Sequence, residues 1–380
     1  MEFLPYSNQV LFPKDIPFVG FRQVPPLTTF SSITKPYPSP FHVDSFVAPR
    51  EKKKVVFVLG STGTGKSKLA INLAAQFDGE VVNSDKIQVY DGLNVITNKV
   101  TEDECAGIPH HLIGGVCPDV EFTASDFRAA VVRALESVLA VGRLPIIAGG
   151  SNSYIEQLVD GESGKFRSKY DCVFVWVDVD LPVLHPFVSV RVDKMVEMGL
   201  VEEARGMFNP EGDYSKGIRK AIGLPEMDRY FRNEASADEE TKARLLRSAF
   251  DEIKSNTCKL ACRQQQKIRR LSKLAGWDVR RVDATEAFLK QAGKKCEFEE
   301  AWDWTVRVPS IEIVHEFLHK EDDYKNNGKD MANAAASAET ADTTASQNHA
   351  ISAAAAASAG GGDAANSGRT SMWIRFVGPT

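Results

Sequence analysis

Gly60-Ser61-Thr62-Gly63-Thr64-Gly65-Lys66-Ser67 places glycines, hydroxyls and one ammonium in the order of a phosphate-binding P-loop. The glycines let backbone N–H groups turn inward around phosphate oxygens, and the following helix adds its positive N-terminal end. Lys66 supplies a cation and Ser67 a hydroxyl ligand for Mg²⁺. The backbone of Gly60, Ser61, Gly63, Thr64 and Gly65 is therefore expected to bind phosphate. A second reactive group is Asp85, which follows a strand-like run and should lie beside the loop. It can serve as a general base, a second Mg²⁺ ligand or a helix cap. This chemistry leaves open which phosphates are held and for what reaction.

The loop needs a strand before it and a helix after it, and the sequence supplies both. The apolar run 55–59 precedes it, and Leu69, Ala70, Leu73, Ala74 and Phe77 follow at helical spacing. Further strand-like runs at 80–83, 144–148 and 172–179 alternate with helix-capable stretches. The predicted fold is α/β, a P-loop NTPase-like parallel sheet flanked by helices, with a helical insertion or second subdomain. In such a sheet the carboxyl ends of the strands share one edge. The P-loop, Asp85 and Gly149-Gly150-Ser151 should converge there.

The predicted organisation is a leader over residues 1–54, a P-loop core over 55–185, a mainly helical region over 186–275, a C-terminal part of the fold over 276–327 and a low-complexity tail over 328–380. The leader has few acidic residues and several prolines and resembles a transit peptide, a disordered cytosolic leader being the alternative. Over roughly 328–370 that tail is rich in Ala, Ser, Gly, Asn and Thr, with almost none of the large apolar residues that offset ordering entropy.

Net charge is -5 over 380 residues, so affinity for phosphates must come from local basic clusters. One such cluster is the face Lys259, Arg263, Lys267 and Arg270 of the helical region. No apolar run is long enough to span a bilayer, and no membrane partner is expected. The six cysteines form no dense framework, which points to a reducing compartment. Cys258/Cys262 and His315/His319 are too far apart in sequence for a compact zinc finger, and no zinc is expected. His110 and His111 read as structural, and Asp178 and Asp180 as strand-end polar residues.

The segments Asn83-Ser84-Asp85-Lys86-Ile87-Gln88-Val89-Tyr90, Thr97-Asn98-Lys99, Gly107-Ile108-Pro109-His110-His111-Leu112-Ile113, Ala124-Ser125-Asp126-Phe127-Arg128, Gly149-Gly150-Ser151-Asn152-Ser153-Tyr154-Ile155 and Arg263-Gln264 resemble the isopentenyltransferase family. That family contains tRNA dimethylallyltransferases and the adenylate isopentenyltransferases that make cytokinins. The resemblance spans residues 55–320 and looks like the plant adenylate branch. Where the tRNA branch usually carries Thr-Arg, this chain has Thr257-Cys258.

The resemblance implies transfer of a dimethylallyl group from dimethylallyl diphosphate to N6 of adenine in AMP, ADP or ATP, with Mg²⁺. Asp85 would be the base, with Thr62 and Lys66 as further catalytic groups. Ser151, Arg219 and Lys220 would meet the diphosphate, and Arg263 would also bind substrate. The family usually has arginine at Lys220, and lysine loses the bidentate fork. A plastid location follows, with cytoplasm or mitochondrion as alternatives. Free nucleotide rather than a polynucleotide is the expected acceptor, and the chain is expected to act as a monomer. The competing readings are a tRNA dimethylallyltransferase and a small-molecule P-loop kinase.

Overall fold

The computed structural model of the chain describes residues 52–161, 164–291 and 295–320. The leader and tail expectations fall almost wholly outside them. Residues 53 and 54, assigned above to the leader, already belong to the first strand.

Six strands, β1 (Lys53–Gly60), β2 (Gly79–Asn83), β3 (His110–His111), β4 (Leu144–Ala148), β5 (Tyr170–Asp178) and β6 (Val279–Asp283), form one parallel sheet in the order β3-β2-β4-β1-β5-β6. Val56 lies opposite Ile146 on one side and Val173 on the other, so β1 is central. Its residues 55–59 are fully buried because helices cover both faces, and an apolar run without alternation is what that requires.

Helix α1 (Lys66–Gln76) follows β1 and buries Leu69, Ala70, Leu73 and Ala74 in the cluster on one face of the sheet. Helices α2 (Glu102–Cys105) and α3 (Ala124–Ala140) are both closed by capping boxes, at Thr101 and Thr123. Helix α4 (Asn152–Asp160) follows β4 and buries Ile155, Leu158 and Val159 in the cluster on the opposite face. Neighbouring strands β1 and β4 thus send their helices to opposite faces. A crevice must open between their carboxyl ends, the switch point at which open α/β sheets bind ligands.

After α5 (Lys165–Lys169) and β5, the helical region begins earlier than predicted, with α6 (Leu181–Glu197). Pro186 lies within this helix and does not begin it. Then come α7 (Leu200–Met207), a 3₁₀ turn (Gly217–Lys220), α8 (Asp228–Asn233) and the 33-residue α9 (Glu239–Leu271), capped by Asp238 Oδ1 accepting from Thr241 N–H at 2.8 Å. These elements bury Val192, Met195, Leu224, Met227, Leu245 and Ile253 in a third cluster. Val89, Tyr90, Leu93 and Ile96, from the loop after β2, join it. Helix α9 continues past this cluster to the sheet, where Ile268 and Leu271 pack.

Helices α10 (Thr285–Lys290) and α11 (Lys295–Trp302) follow β6, and a π-helical turn (Asp303–Arg307) leads into a last helix over 308–320. Trp302 is fully buried against the P-loop. A Cβ at Gly65 would sit 2.5 Å from its ring, and Gly65 has φ 87°, so glycine is required there on two counts.

Candidate active site

Two chambers open at the carboxyl edge of the sheet and share one wall. The loop chamber, about 250 Å³, lies over the P-loop and is lined by Gly63, Gly65, Lys66, Ser67 and Gln88. The helix chamber, about 530 Å³, lies between that edge, α6 and α9, and is lined by Lys86, Asn152, Lys220, Thr257, Arg263 and Lys267. Thr62, Asp85, Thr97, Gly150, Arg191, Leu260 and Gln264 line both. A group anchored in one chamber therefore meets a group anchored in the other at Thr62, Asp85 and Arg191.

Asp85 is set by its own loop. Asn83 Oδ1 accepts from Asp85 N–H at 2.9 Å, and Asp85 Oδ1 accepts from Ile87 N–H at 2.9 Å. The second oxygen, Oδ2, lies on the Gly150 side, where a Cβ would come within 3.4 Å of it. One oxygen is thus fixed while the other faces the shared wall.

The P-loop is held from α9. Gln264 Oε1 accepts from Thr62 N–H at 2.7 Å, and its Nε2 donates to Gly150 O at 2.9 Å. One carboxamide thereby spans the loops after β1 and β4. Ser61 Oγ donates to Ala261 O at 2.9 Å, and Thr64 Oγ1 donates to Ser61 O at 2.9 Å. Both residues are almost fully buried. The hydroxyls of Ser61 and Thr64 therefore build the loop, and Gly60 packs beneath it, where a Cβ would lie 2.7 Å from Val177 O.

Lys66 Nζ donates to Ser61 O at 2.7 Å. Burial pushes its pKa down to about 8; the Asp85 carboxylate opposes this and the Arg191 guanidinium adds to it. Arg191 donates to Thr62 Oγ1 at 3.4 Å. Burial lowers its pKa too, against the pull of Asp85. A desolvated guanidinium bonded to no carboxylate among the described residues suits an anion brought in from outside.

Other expected site residues are placed differently. Ser151 lines the helix chamber and not the loop chamber, and its Oγ accepts from Lys86 N–H at 2.9 Å. Lys220 also lines the helix chamber, drawn there by Glu121 Oε1 at 2.6 Å. Arg219 lines neither: it donates to Met207 O at 2.6 Å and lies 3.5 Å from Asp119. Arg263 lines the helix chamber with no ion-pair partner among the described residues. Lys267 and Arg270 instead share Glu156.

Lys99 of the Thr-Asn-Lys segment is buried, its Nζ donating to Tyr90 O at 2.6 Å and Gly92 O at 2.7 Å. Asp178 accepts from Gln265 and Arg281 away from both chambers. His111 bonds Glu80 at 2.5 Å, while His110 lines the loop chamber with its pKa lowered by burial.

Arg191 and Gln264 are absent from the site residues singled out in the sequence. Each had a signal there: Arg191 falls on the face of α6 that carries Leu184, Val188, Val192 and Met195, and Gln264 on the face of α9 that carries Ala261, Ile268 and Leu271. A polar residue inside an apolar stripe marks a buried polar contact.

Sheet, loop and switch-point crevice define an α/β protein of the P-loop class. A family model described as IPP transferase matches residues 88–169 and 161–271. Adenylate isopentenyltransferase 5, chloroplastic, of Arabidopsis thaliana is 53% identical over 312 residues, covering 81% of this chain and 93% of that protein. Adenylate isopentenyltransferase 7, mitochondrial, of the same plant is 49% identical, covering 83% and 94%. Among solved structures, a eukaryotic dimethylallyltransferase acting on tRNA superposes with a TM-score of 0.60 at 25% identity, covering 71% of this chain and 80% of that one. The chain therefore belongs to the isopentenyltransferase family, whose members are prenyltransferases.

Proposed function

We propose that this protein transfers a dimethylallyl group from dimethylallyl diphosphate to N6 of the adenine of AMP, ADP or ATP and releases diphosphate. The observation that carries this is the shared wall: a P-loop chamber suited to a diphosphate meets a second, basic-rimmed chamber at one carboxylate. The adenylate isopentenyltransferase relatives share about half of the sequence over most of the chain.

The adenine amine is a weak nucleophile because its lone pair is delocalised into the ring. As that lone pair attacks the allylic carbon, Asp85 Oδ2 takes the proton, and the carbon–oxygen bond to diphosphate breaks. A positioned base contributes about 10²- to 10⁴-fold. The remainder comes from stabilising the departing anion with the N-terminal end of α1, Lys66 and Arg191. Because Arg191 can only donate to Thr62 Oγ1, the Thr62 proton is left to bond the bridging oxygen.

The residues present fit Mg²⁺. Ser67 opens the loop chamber side of α1, exposed, with no hydroxyl partner among the described residues, and a hydroxyl with diphosphate oxygens is a hard-oxygen set. When bound there, Mg²⁺ neutralises diphosphate charge.

Arg263, with no ion-pair partner among the described residues, lines the helix chamber and suits the acceptor's own phosphates, while Lys220 and Lys267 beside it are paired with Glu121 and Glu156. The expected compartment is the plastid, since relatives are named chloroplastic, and one is named mitochondrial. A fusion of residues 1–54 to a fluorescent reporter tests it: plastid import is expected, and cytosolic fluorescence contradicts it. For the activity, the purified protein is incubated with Mg²⁺, dimethylallyl diphosphate and AMP, ADP, ATP or unmodified tRNA, with products identified by mass. Prenylated nucleotide is expected, and prenylated tRNA alone contradicts the acceptor assignment.

A further inference from the structure

Asn152 lines the helix chamber and is 3% exposed, and neither its Nδ2 nor its Oδ1 has a hydrogen-bond partner among the described residues. Its backbone N–H is already committed to Gly150 O at 3.0 Å. A buried donor and acceptor left unmade on one side chain are rare in folded proteins.

The other buried or half-buried neutral polar side chains of the chamber each have a partner, Thr62 Oγ1 accepting from Arg191 at 3.4 Å. Thr97 Oγ1 donates to Leu93 O and Thr257 Oγ1 to Ile253 O, both at 2.7 Å. Gln264 spans Thr62 and Gly150, and Ser151 accepts from Lys86. Asn152 begins α4 one residue after Ser151, on the same loop whose Gly150 approaches Asp85 Oδ2.

We propose that the Asn152 carboxamide reads the acceptor base, Oδ1 accepting one N6 hydrogen and Nδ2 donating to the ring nitrogen beside it. A carboxamide presents an acceptor next to a donor, and adenine presents the complement, N6–H flanked by N1 or N7. The inference rests on adenine as acceptor. It also divides the work at N6: Asn152 keeps one hydrogen through the reaction, and Asp85 takes the other. The amine is thereby oriented, and Asn152 is a specificity-determining residue that moves no proton.

The test is calorimetric binding of ADP, 1-deaza-ADP and 7-deaza-ADP to the full chain and to Asn152→Leu, with inorganic diphosphate as the control ligand. The wild type is expected to bind one deaza analogue about tenfold more weakly than ADP, the cost of one lost hydrogen bond. In Asn152→Leu, ADP binding falls at least as far, the penalty for the deaza analogue disappears, and diphosphate binding is unchanged. Leucine removes an unsatisfied amide, so the variant should melt no lower than the wild type.

If the carboxamide only holds an internal water, Asn152→Leu binds ADP as the wild type does, and the proposal is overturned. Equal wild-type affinity for ADP and both analogues overturns it without any variant. A wild type that neither binds ADP nor prenylates any adenine removes the proposed function and this inference together. An active wild type with an indifferent Asn152→Leu removes this inference alone.

Discussion

The displaced pKa of Lys66 makes the donor step pH-dependent in a definite direction. Burial lowers it from 10.5 to about 8, with Asp85 opposing and Arg191 reinforcing. In the free protein the ammonium is present below that value and lost as pH rises through it. The diphosphate needs the cation, so kcat/KM for dimethylallyl diphosphate should fall about tenfold per pH unit above 8, since that ratio reports groups of the free enzyme. Bound diphosphate favours the charged form, so the corresponding limb in kcat should lie at higher pH. For stability the sign reverses. Between 8 and 10.5 the unfolded chain holds a proton the folded chain has released, so the contribution of Lys66 to stability rises with pH. The assay is steady-state kinetics from pH 7 to about 9.5 on the wild type and Lys66→Arg, whose guanidinium stays charged throughout. A flat wild-type profile, or the same limb in Lys66→Arg, would refute the reasoning.

Asp85→Asn keeps the shape of the side chain but cannot accept a proton. Turnover should drop about 10²- to 10⁴-fold with diphosphate binding retained, and wild-type turnover would remove Asp85 as base. Gln264→Leu frees Thr62 N–H and Gly150 O, which should cost about 1–3 kcal/mol in a denaturant titration and raise the KM for the prenyl donor. An unchanged donor KM would show that the P-loop holds its shape without α9. Arg219 faces Met207 and Asp119 while Arg263 lines the helix chamber. Arg263→Met should therefore raise the nucleotide KM and Arg219→Met should leave it unchanged; the reverse order would contradict the placement.

The parts of the fold legible in the sequence were those dictated by short-range rules. The runs within β1, β2, β4 and β5 are apolar because interior parallel strands are covered on both faces, and the P-loop carries its own backbone requirements. Strand β3, only His110–His111, is too short to show a pattern, and β6 is an edge strand whose two arginines masked it. Asp85 was legible because it follows a buried strand, two residues past the end of β2.

Arg191 and Gln264 show locally only as polar residues within apolar stripes; what they meet, and the division between two chambers, depend on how α6 and α9 cross the sheet edge, and no local spacing records that crossing. The same long-range packing explains the corrections. Arg219 and Lys220 are neighbours in sequence, yet the 3₁₀ turn sends one to Met207 and the other to Glu121. The basic face of α9 likewise divides, with Lys267 and Arg270 tied to Glu156 and Arg263 left for a ligand.

In the proposed reaction the P-loop holds the leaving group of a prenyl donor while a nucleotide keeps its own phosphates intact. One reaction measures this: wild-type protein with Mg²⁺, dimethylallyl diphosphate and ATP, with released diphosphate, prenylated nucleotide and ATP-derived ADP quantified together. Diphosphate and N6-prenylated ATP are expected in one-to-one amounts with no ADP formed. Loss of the terminal phosphate of ATP without any prenylated product would contradict it and indicate a kinase.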